Sequence, residues 1–226
     1  MEYQFSEKRI KKQIKKIESL PRTETTSLDI AALNILLYKY SETPLLMKYP
    51  KCLYIYHNIY SEILRFHNLT KTQELSDDIW TYNSPININD LFTILHDFYK
   101  TRDKKIYESF LKNFKKRKTN LEITKYKEDE EREGYCCQIR TLKEAYISID
   151  YTNSINDLIC LAHEYGHATM FNLNPNIVTN PNYVIYNELD GIYFENEMID
   201  YLLKNNIYPI DVLKNRIINH KYMNEI

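Results

Sequence analysis

The chain has 226 residues, of which 43% are hydrophobic and 27% charged, and this composition is typical of a soluble globular protein with one large domain or two small ones. Its formal net charge of -1 gives no reason to expect nucleic acid as a partner. The N-terminus is charged and no apolar run approaches the roughly 20 residues of a membrane span, so we expect a cytoplasmic protein with no signal peptide and no membrane partner.

Residues 1–120 are predicted to form an N-terminal helical region. Apolar residues recur there at helical spacing, and Pro, Asn and Asp residues mark the boundaries. The predicted helices cover 4–20, 27–40, 44–68 and 89–117. Lysine-rich clusters in the first and last of these helices lie opposite apolar residues, so we interpret them as solvated faces. The histidines of this region are predicted to be packed or exposed side chains and not metal ligands: His57, His67 and His96.

Residues 121–226 are predicted to form a catalytic region, either separate from the first or continuous with it. It begins with three short strands, over 121–127, 135–140 and 145–151, and an acidic turn at 128–131 separates the first two. A small antiparallel sheet is therefore expected. The four cysteines of the chain form no CxxC pair and are predicted to be reduced thiols, with Cys136 and Cys137 on opposite faces of their strand.

A helix with a metal-binding pattern follows the strands. It is predicted to begin at the capping box Ser154-Ile155-Asn156-Asp157 and to end at Asn174-Pro175. Its interior contains His163-Glu164-Tyr165-Gly166-His167, in which the two histidines are four residues apart and share a helical face. Catalytic zinc keeps three protein ligands and an open position for water, and a carboxylate beside that water can take its proton. The pattern therefore predicts two zinc ligands and a general base, Glu164.

A second helix is predicted from about residue 183 to 204. It carries Glu188 and Glu195 two turns apart on one face, among apolar residues at spacings of three and four. The simplest assignment makes Glu188 the third zinc ligand and Glu195 an acid that orients a ligand or a substrate donor. A last helix is predicted over about 209–222.

Four segments of the catalytic region match a known pattern when they are taken together. They read Arg132-Glu133-Gly134-Tyr135-Cys136, Ala145-Tyr146-Ile147-Ser148-Ile149-Asp150-Tyr151-Thr152, His163-Glu164-Tyr165-Gly166-His167 and Asn187-Glu188-Leu189-Asp190-Gly191-Ile192-Tyr193-Phe194-Glu195. This series resembles the thimet oligopeptidase and oligoendopeptidase F family of zinc metallopeptidases. In that family an Arg-x-Gly-Ala-Tyr segment and a Pro-Tyr-x-x-x-Asn-Tyr-x strand precede His-Glu-x-Gly-His and a Glu-x6-Glu helix. The resemblance covers about residues 132 to 204.

The resemblance implies a zincin-like fold that is mainly α (α+β), with a small antiparallel sheet ahead of the zinc helix, in a shortened member of the family. It implies zinc ligation by His163, His167 and Glu188, a general base at Glu164 and a supporting acid at Glu195. The implied activity is that of a gluzincin, a zinc metallopeptidase in which Glu164 assists a zinc-bound water in hydrolysing peptide bonds of short unfolded peptides.

Substrate contacts and transition-state donors are predicted from the same resemblance. In zinc peptidases the strand ahead of the zinc helix is commonly a sheet edge that pairs with an extended substrate, so Tyr146 and Ser148 are predicted to bind substrate. The family's His and Tyr pair that stabilises the transition state lies well downstream of the second motif. His220 and Tyr222 are the nearby residues of those types in this chain, and they are predicted to be the catalytic donors. Four tyrosines compete for the same role: Tyr183, Tyr186, Tyr193 and Tyr208.

Three alternatives stay open. The first is a catalytically impaired zinc protein that recognises peptides or proteins on a peptidase scaffold, and zinc binding without turnover of any peptide would favour it. The second is a thermolysin-like gluzincin, because Asn187-Glu188 and its distance from His167 also suit that group. The third is a helical structural protein in which the motif occurs by chance.

Overall fold

The computed structural model of the chain describes residues 3–38, 85–125, 134–174 and 184–208. Within these ranges the protein is mainly helical, with a small three-stranded sheet. The helices are α1 (Glu7–Glu18), α2 (Glu24–Tyr38), α3 (Ile88–Lys100), α4 (Lys104–Phe114), the single turn α5 (Arg117–Asn120), α6 (Ile155–Leu173) and α7 (Val184–Lys204). The strands are β1 (Leu121–Lys125), β2 (Gly134–Ile139) and β3 (Glu144–Tyr151).

Several predictions concern residues outside the described ranges. These are the helices over 44–68 and 209–222, the acidic turn at 128–131, and the side chains of Cys52, His57, His67, Tyr183, His220 and Tyr222. Of the helices in the described ranges, none combines the length and the apolar character that crossing a membrane requires.

The single helix predicted over 89–117 is wrong, because the chain turns between α3 and α4. The Thr101 hydroxyl donates to the carbonyl of Phe98 at 2.7 Å, and the Asp103 carboxylate accepts from the backbone N–H of Lys105 at 2.8 Å. These short polar side chains satisfy backbone groups at the end of α3 and the start of α4. The apolar periodicity of the sequence continues through this turn, so the pattern does not reveal that the helix ends there. The other described helices lie within a few residues of their predicted bounds.

The sheet is mixed, and the prediction of an antiparallel sheet is wrong for one of its two pairings. The strand order is β1-β3-β2, with β1 parallel and β2 antiparallel to β3. A short 3-10 turn joins β2 to β3, and it ends at Lys143, which has a left-handed φ of 51°. Strand β3 takes the central place because its first six residues are buried, whereas the ends of β1 and β2 include exposed residues.

The sheet lies between two layers of helices. On one face, α1 and α2 pack against residues of β2 and β3 in a small apolar cluster: Ile10, Ile17, Leu33, Leu36, Ile139 and Tyr146. On the other face, the inward residues of β3 join the larger core with α3, α4, α6 and α7: Ala145, Ile147 and Ile149. Cys136 packs with the larger core and Cys137 with the smaller cluster, which confirms that they face opposite sides. The motif helix α6, which carries the segment His163–His167, is thus held in the larger core.

Glu144, at the start of β3, ties the layers together through its carboxylate. It accepts hydrogen bonds from Arg9 of α1 at 2.8 and 2.9 Å, from Gln13 at 3.1 Å and from Lys116 at 3.0 Å. Its side chain is only 11% exposed. Burial alone would raise the pKa of Glu144, but the hydrogen bonds and charges of Lys116 and Arg9 outweigh burial and lower it.

Replacing Glu144 with Gln is expected to lower the free energy of unfolding by about 1–3 kcal/mol at pH 7, because a neutral amide replaces an acceptor shared by two cations. The carboxylate has a lowered pKa in the folded state, so its stabilisation is present above the unfolded-state pKa of 4.5 and is lost as the pH falls through the folded-state pKa. Urea unfolding at pH 7 and pH 3 measures both effects. Glu108→Gln, at an exposed acid of α4, is the control, and equal stability of parent and Glu144→Gln at pH 7 would contradict the prediction.

Candidate metal centre

The N-terminus of α6 is fixed by the predicted capping box, which the structure confirms. The Asp157 carboxylate, fully buried, accepts from the backbone N–H of Ser154 at 2.9 Å and of Thr152 at 3.1 Å. The helix therefore begins at Ile155, and His163 and His167 fall in its interior. A capped helix start stabilises the rigid support that a metal site requires.

The buried face of α6 is held by polar side chains of α3 and α4. Each of three side chains donates a hydrogen bond to a backbone carbonyl of α6. The pairs are Tyr99 Oη to Ala162 at 3.1 Å, Ser109 Oγ to Thr169 at 2.7 Å and Asn113 Nδ2 to Ala168 at 3.1 Å. Because these carbonyls flank the motif on both sides, the contacts fix the position of α6 along its axis and its rotation about that axis.

Helices α6 and α7 approach one another at glycines. A Cβ atom built on Gly166 would lie 2.7 Å from the ring of Phe194, and one built on Gly191 would lie 2.5 Å from the ring of His163. Carbon atoms do not pack so closely, so neither position accepts a larger residue without movement. Strand β2 makes a similar approach on the other side, where a Cβ on Gly134 would lie 3.0 Å from Glu164 Oε1.

This close packing brings the three predicted ligands together. His163 Nε2 lies 2.9 Å from His167 Nε2 and 3.0 Å from Glu188 Oε2, and His167 Nε2 lies 3.5 Å from the same oxygen. Tetrahedral zinc with bonds of about 2.0–2.2 Å holds its ligand atoms roughly 3.3–3.5 Å apart. The three atoms thus match the spacing of three zinc ligands to within about half an ångström.

The outer nitrogens of both imidazoles face carboxylates of α7. His163 Nδ1 lies 2.8 Å from Glu195 Oε1, and His167 Nδ1 lies 2.9 Å from Asp190 Oδ1. An ionised carboxylate only accepts hydrogen bonds, so each Nδ1 carries the proton and donates it. In a neutral imidazole that tautomer leaves Nε2 with a lone pair. When both rings are neutral, their Nε2 lone pairs and the Glu188 oxygen converge on one point, so the residues fit a bound metal ion.

The hydrogen bonds and charges of the cluster raise the pKa values of the two histidines and lower the pKa of Glu188. Burial would lower the pKa of His163, but the hydrogen bonds of Glu188 and Glu195 outweigh burial and raise it to about 11. For His167 the carboxylates of Asp190 and Glu188 outweigh burial in the same way and raise the pKa to about 10. Burial would raise the pKa of Glu188, but its hydrogen bonds to both histidines lower it to about 2. A metal ion that replaced the imidazole protons would therefore bind more tightly as the pH rises.

Glu164 lies beside the ligands and is 5% exposed. Burial raises the pKa of its carboxyl group to about 7, although the nearby histidines act in the opposite direction. A carboxyl group with a pKa near the working pH exchanges a proton readily, as a general base and acid must.

The structure does not place Tyr146 and Ser148 at a sheet edge, and the prediction that their strand is an edge is wrong. In β3 the register sets Ser148 opposite Tyr135 of β2 on one side and Glu122 of β1 on the other. Tyr146 is fully buried in the small cluster under α1 and α2, and Ser148 shares that face because side chains alternate along a strand. Both side chains therefore lie on the face of the sheet opposite α6.

Of the four tyrosines that compete for the transition-state donor, the structure describes the side chains of Tyr193 and Tyr208. Tyr193 is 49% exposed and packs edge-on against Phe194, and Tyr208 lines a shallow groove beside α3 with Ile86 and Ile94. Tyr186 belongs to the first turn of α7. In the N-terminal region, His96 packs against Phe114 and its Nε2 lies 3.0 Å from the hydroxyl of Tyr107, as predicted for a packed histidine.

Two residues of the site, Asp190 and Gly191, were not predicted from the sequence motif. Asp190 follows Glu188 by two residues, which on a regular helix is about 200° around the axis, so periodicity gave no reason to assign both acids to one site. Gly191 falls in a helix interior, where glycine is disfavoured, and this was a usable signal of close packing.

Comparison of the chain with protein-family models, with curated proteins and with solved structures finds no match.

Proposed function

We propose that the protein is a zinc-dependent metallopeptidase that hydrolyses peptide bonds in short unfolded peptides. The observation that supports this most strongly is the convergence of His163 Nε2, His167 Nε2 and Glu188 Oε2 beside a buried carboxyl group, that of Glu164. The order of these residues on two packed helices is the order expected for a gluzincin, and the segments ahead of them resemble those of the oligopeptidase family.

Each residue has a defined task in this proposal. His163, His167 and Glu188 would hold the zinc, which when bound polarises a scissile carbonyl and lowers the pKa of water. Glu164 takes a proton from the attacking water at its carboxylate and passes it to the leaving amine. The carboxylate of Glu195 holds the His163 ring in the tautomer that ligates, through its 2.8 Å hydrogen bond to Nδ1.

The substrate is proposed to lie along β2, and not along β3 as the sequence predicted. In the described sheet β2 is an outer strand, and it begins at Gly134, whose backbone lies directly against Glu164. An extended peptide that pairs with the outer side of β2 would bring its backbone past the general base. Pairing through the backbone demands no particular sequence, which suits short unfolded substrates.

The test is cleavage of a mixed library of quenched fluorescent peptides by zinc-loaded protein, with EDTA-treated protein as the control. Cleavage that EDTA abolishes and added zinc restores is the expected result. Tight zinc binding with no cleavage of any peptide would overturn the peptidase proposal. It would favour the alternative of a zinc-dependent recognition protein.

Replacing Glu188 with Ala is expected to weaken zinc binding by about 100-fold or more, because the metal loses one of three protein ligands. Competition with a chromophoric chelator at fixed pH measures the affinity. Asp200→Ala is the matched control, since Asp200 is an exposed acid of the same helix. Parent-like affinity in Glu188→Ala, together with loss of zinc in Glu195→Ala, would transfer the ligand role to Glu195.

A further inference from the structure

We infer that Asp190 is a positioning residue for His167, so that each zinc-binding imidazole has its own carboxylate partner on α7. This inference rests on the proposed metal site and deepens it. The sequence assigned one orienting acid to the site, Glu195. The structure supplies a second, on the other histidine.

The geometry of the Asp190 contact matches that of Glu195. Asp190 Oδ1 lies 2.9 Å from His167 Nδ1, and Glu195 Oε1 lies 2.8 Å from His163 Nδ1. His167 is 9% exposed, so little water is available to replace the carboxylate as an acceptor. Asp190 Oδ1 also accepts from the backbone N–H of Gly191 at 3.1 Å, which holds the oxygen in place.

The two contacts together define the plane of each ring. The imidazole rings of His163 and His167 are inclined at 82° to each other, with centroids 4.6 Å apart. Two rings in that arrangement direct both Nε2 atoms to one point only if neither ring rotates away from its orientation. A hydrogen bond at Nδ1 fixes that rotation and also keeps the proton off Nε2. One helix, α7, would therefore contribute a ligand and both of the acids that orient the histidines.

A purely structural role for Asp190 would be an ion pair that joins α6 to α7, and the two roles have different signatures. A structural link would lower the stability of metal-free protein, and zinc affinity would then fall only in proportion to that loss. A positioning role changes zinc affinity and the Nδ1 proton of His167 while the metal-free fold remains. The readouts are therefore zinc affinity, unfolding in EDTA, and the imidazole N–H resonances of zinc-loaded protein.

The experiment compares the parent with Asp190→Asn and Asp190→Ala, using Asp200→Ala as the exposed control on the same helix. Asp190→Ala is expected to weaken zinc binding about 10–100-fold, and Asp190→Asn, which retains an acceptor oxygen, is expected to weaken it less. In zinc-loaded Asp190→Ala the protected N–H resonance of His167 should disappear while that of His163 stays, and Glu195→Ala should show the reverse.

Zinc affinity of Asp190→Ala equal to that of the parent would overturn the inference and leave the proposed metal site intact. Loss of affinity in proportion to a loss of stability in EDTA, seen in both Asp190 variants, would also overturn it in favour of a structural link. A parent that binds no zinc would refute the proposed function itself.

Discussion

Replacing Glu164 with Gln is expected to lower kcat for peptide hydrolysis by about 10²–10⁴-fold while zinc remains bound. Gln fills the same space but cannot take a proton from water, whereas the ligand atoms of His163, His167 and Glu188 are unchanged. The measurement is turnover of the best substrate from the peptide library, with bound zinc determined on the same sample. Asp200→Asn, which neutralises an exposed acid of α7, should turn over like the parent. Substantial activity in Glu164→Gln would show that another group is the base.

The same variant has a second expected effect, on the stability of metal-free protein. Burial raises the pKa of Glu164 from 4.5 to about 7, so this carboxyl group ionises at a higher pH in the folded state than in the unfolded state. The parent therefore loses stability as the pH rises from 4.5 through 7, and a neutral Gln avoids that loss. At pH 8.5 in EDTA, Glu164→Gln should be more stable than the parent by on the order of 3 kcal/mol. Urea unfolding at pH 5 should show a much smaller difference.

Replacing Gly191 with Ala is expected to weaken zinc binding by about 100-fold, because the added methyl group would lie 2.5 Å from the His163 ring. Relief of that contact requires the ring, or the whole of α7, to move by about an ångström, and the three ligand atoms then no longer meet. Helix propensity acts in the opposite direction, since Ala in a helix interior is more favourable than Gly by about 0.5–1 kcal/mol. Loss of zinc is therefore not expected to reflect a loss of helix.

Chelator competition gives the zinc affinity of Gly191→Ala, and far-UV circular dichroism in EDTA shows whether α7 remains helical. Asp200→Ala again serves as the control, at an exposed position of the helix. Parent-like zinc affinity in Gly191→Ala would show that α6 and α7 separate without cost, and would refute the close-packing account of the site.

The elements that could be predicted are those specified by local signals. The capping box at Ser154 fixed the start of α6, and the spacing of His163 and His167 fixed which face of that helix carries the candidate ligands. Glu188 and Glu195 were assigned correctly to one face of α7, because both of them contact His163. In each case the signal lies within one turn or two of a single helix.

The elements that could not be predicted depend on contacts between distant segments. The place of β3 at the centre of the sheet follows from burial on both of its faces, and strand alternation alone does not reveal the neighbours of a strand. Asp190 reaches His167 because α6 and α7 pack closely, and no periodicity within α7 encodes that distance. The division between α3 and α4 is different, because Asp103 was a local cap that a continuous apolar pattern obscured.

The three glycines of the chain also constrain how its sequence can change. Each one lies on the motif helix or against one of its side chains: Gly166 belongs to α6 and lies against Phe194, Gly134 lies against Glu164, and Gly191 lies against His163. Even alanine, which adds only one methyl group, would place a carbon atom too close to neighbouring atoms at these positions, and larger residues would add more. At Gly166 a compensating change is available, because a smaller residue at 194 would make room. At Gly191 the facing group is His163, a proposed zinc ligand that the site would lose if it were shortened, so this position should be the last of the three to vary in any functional relative or redesigned variant.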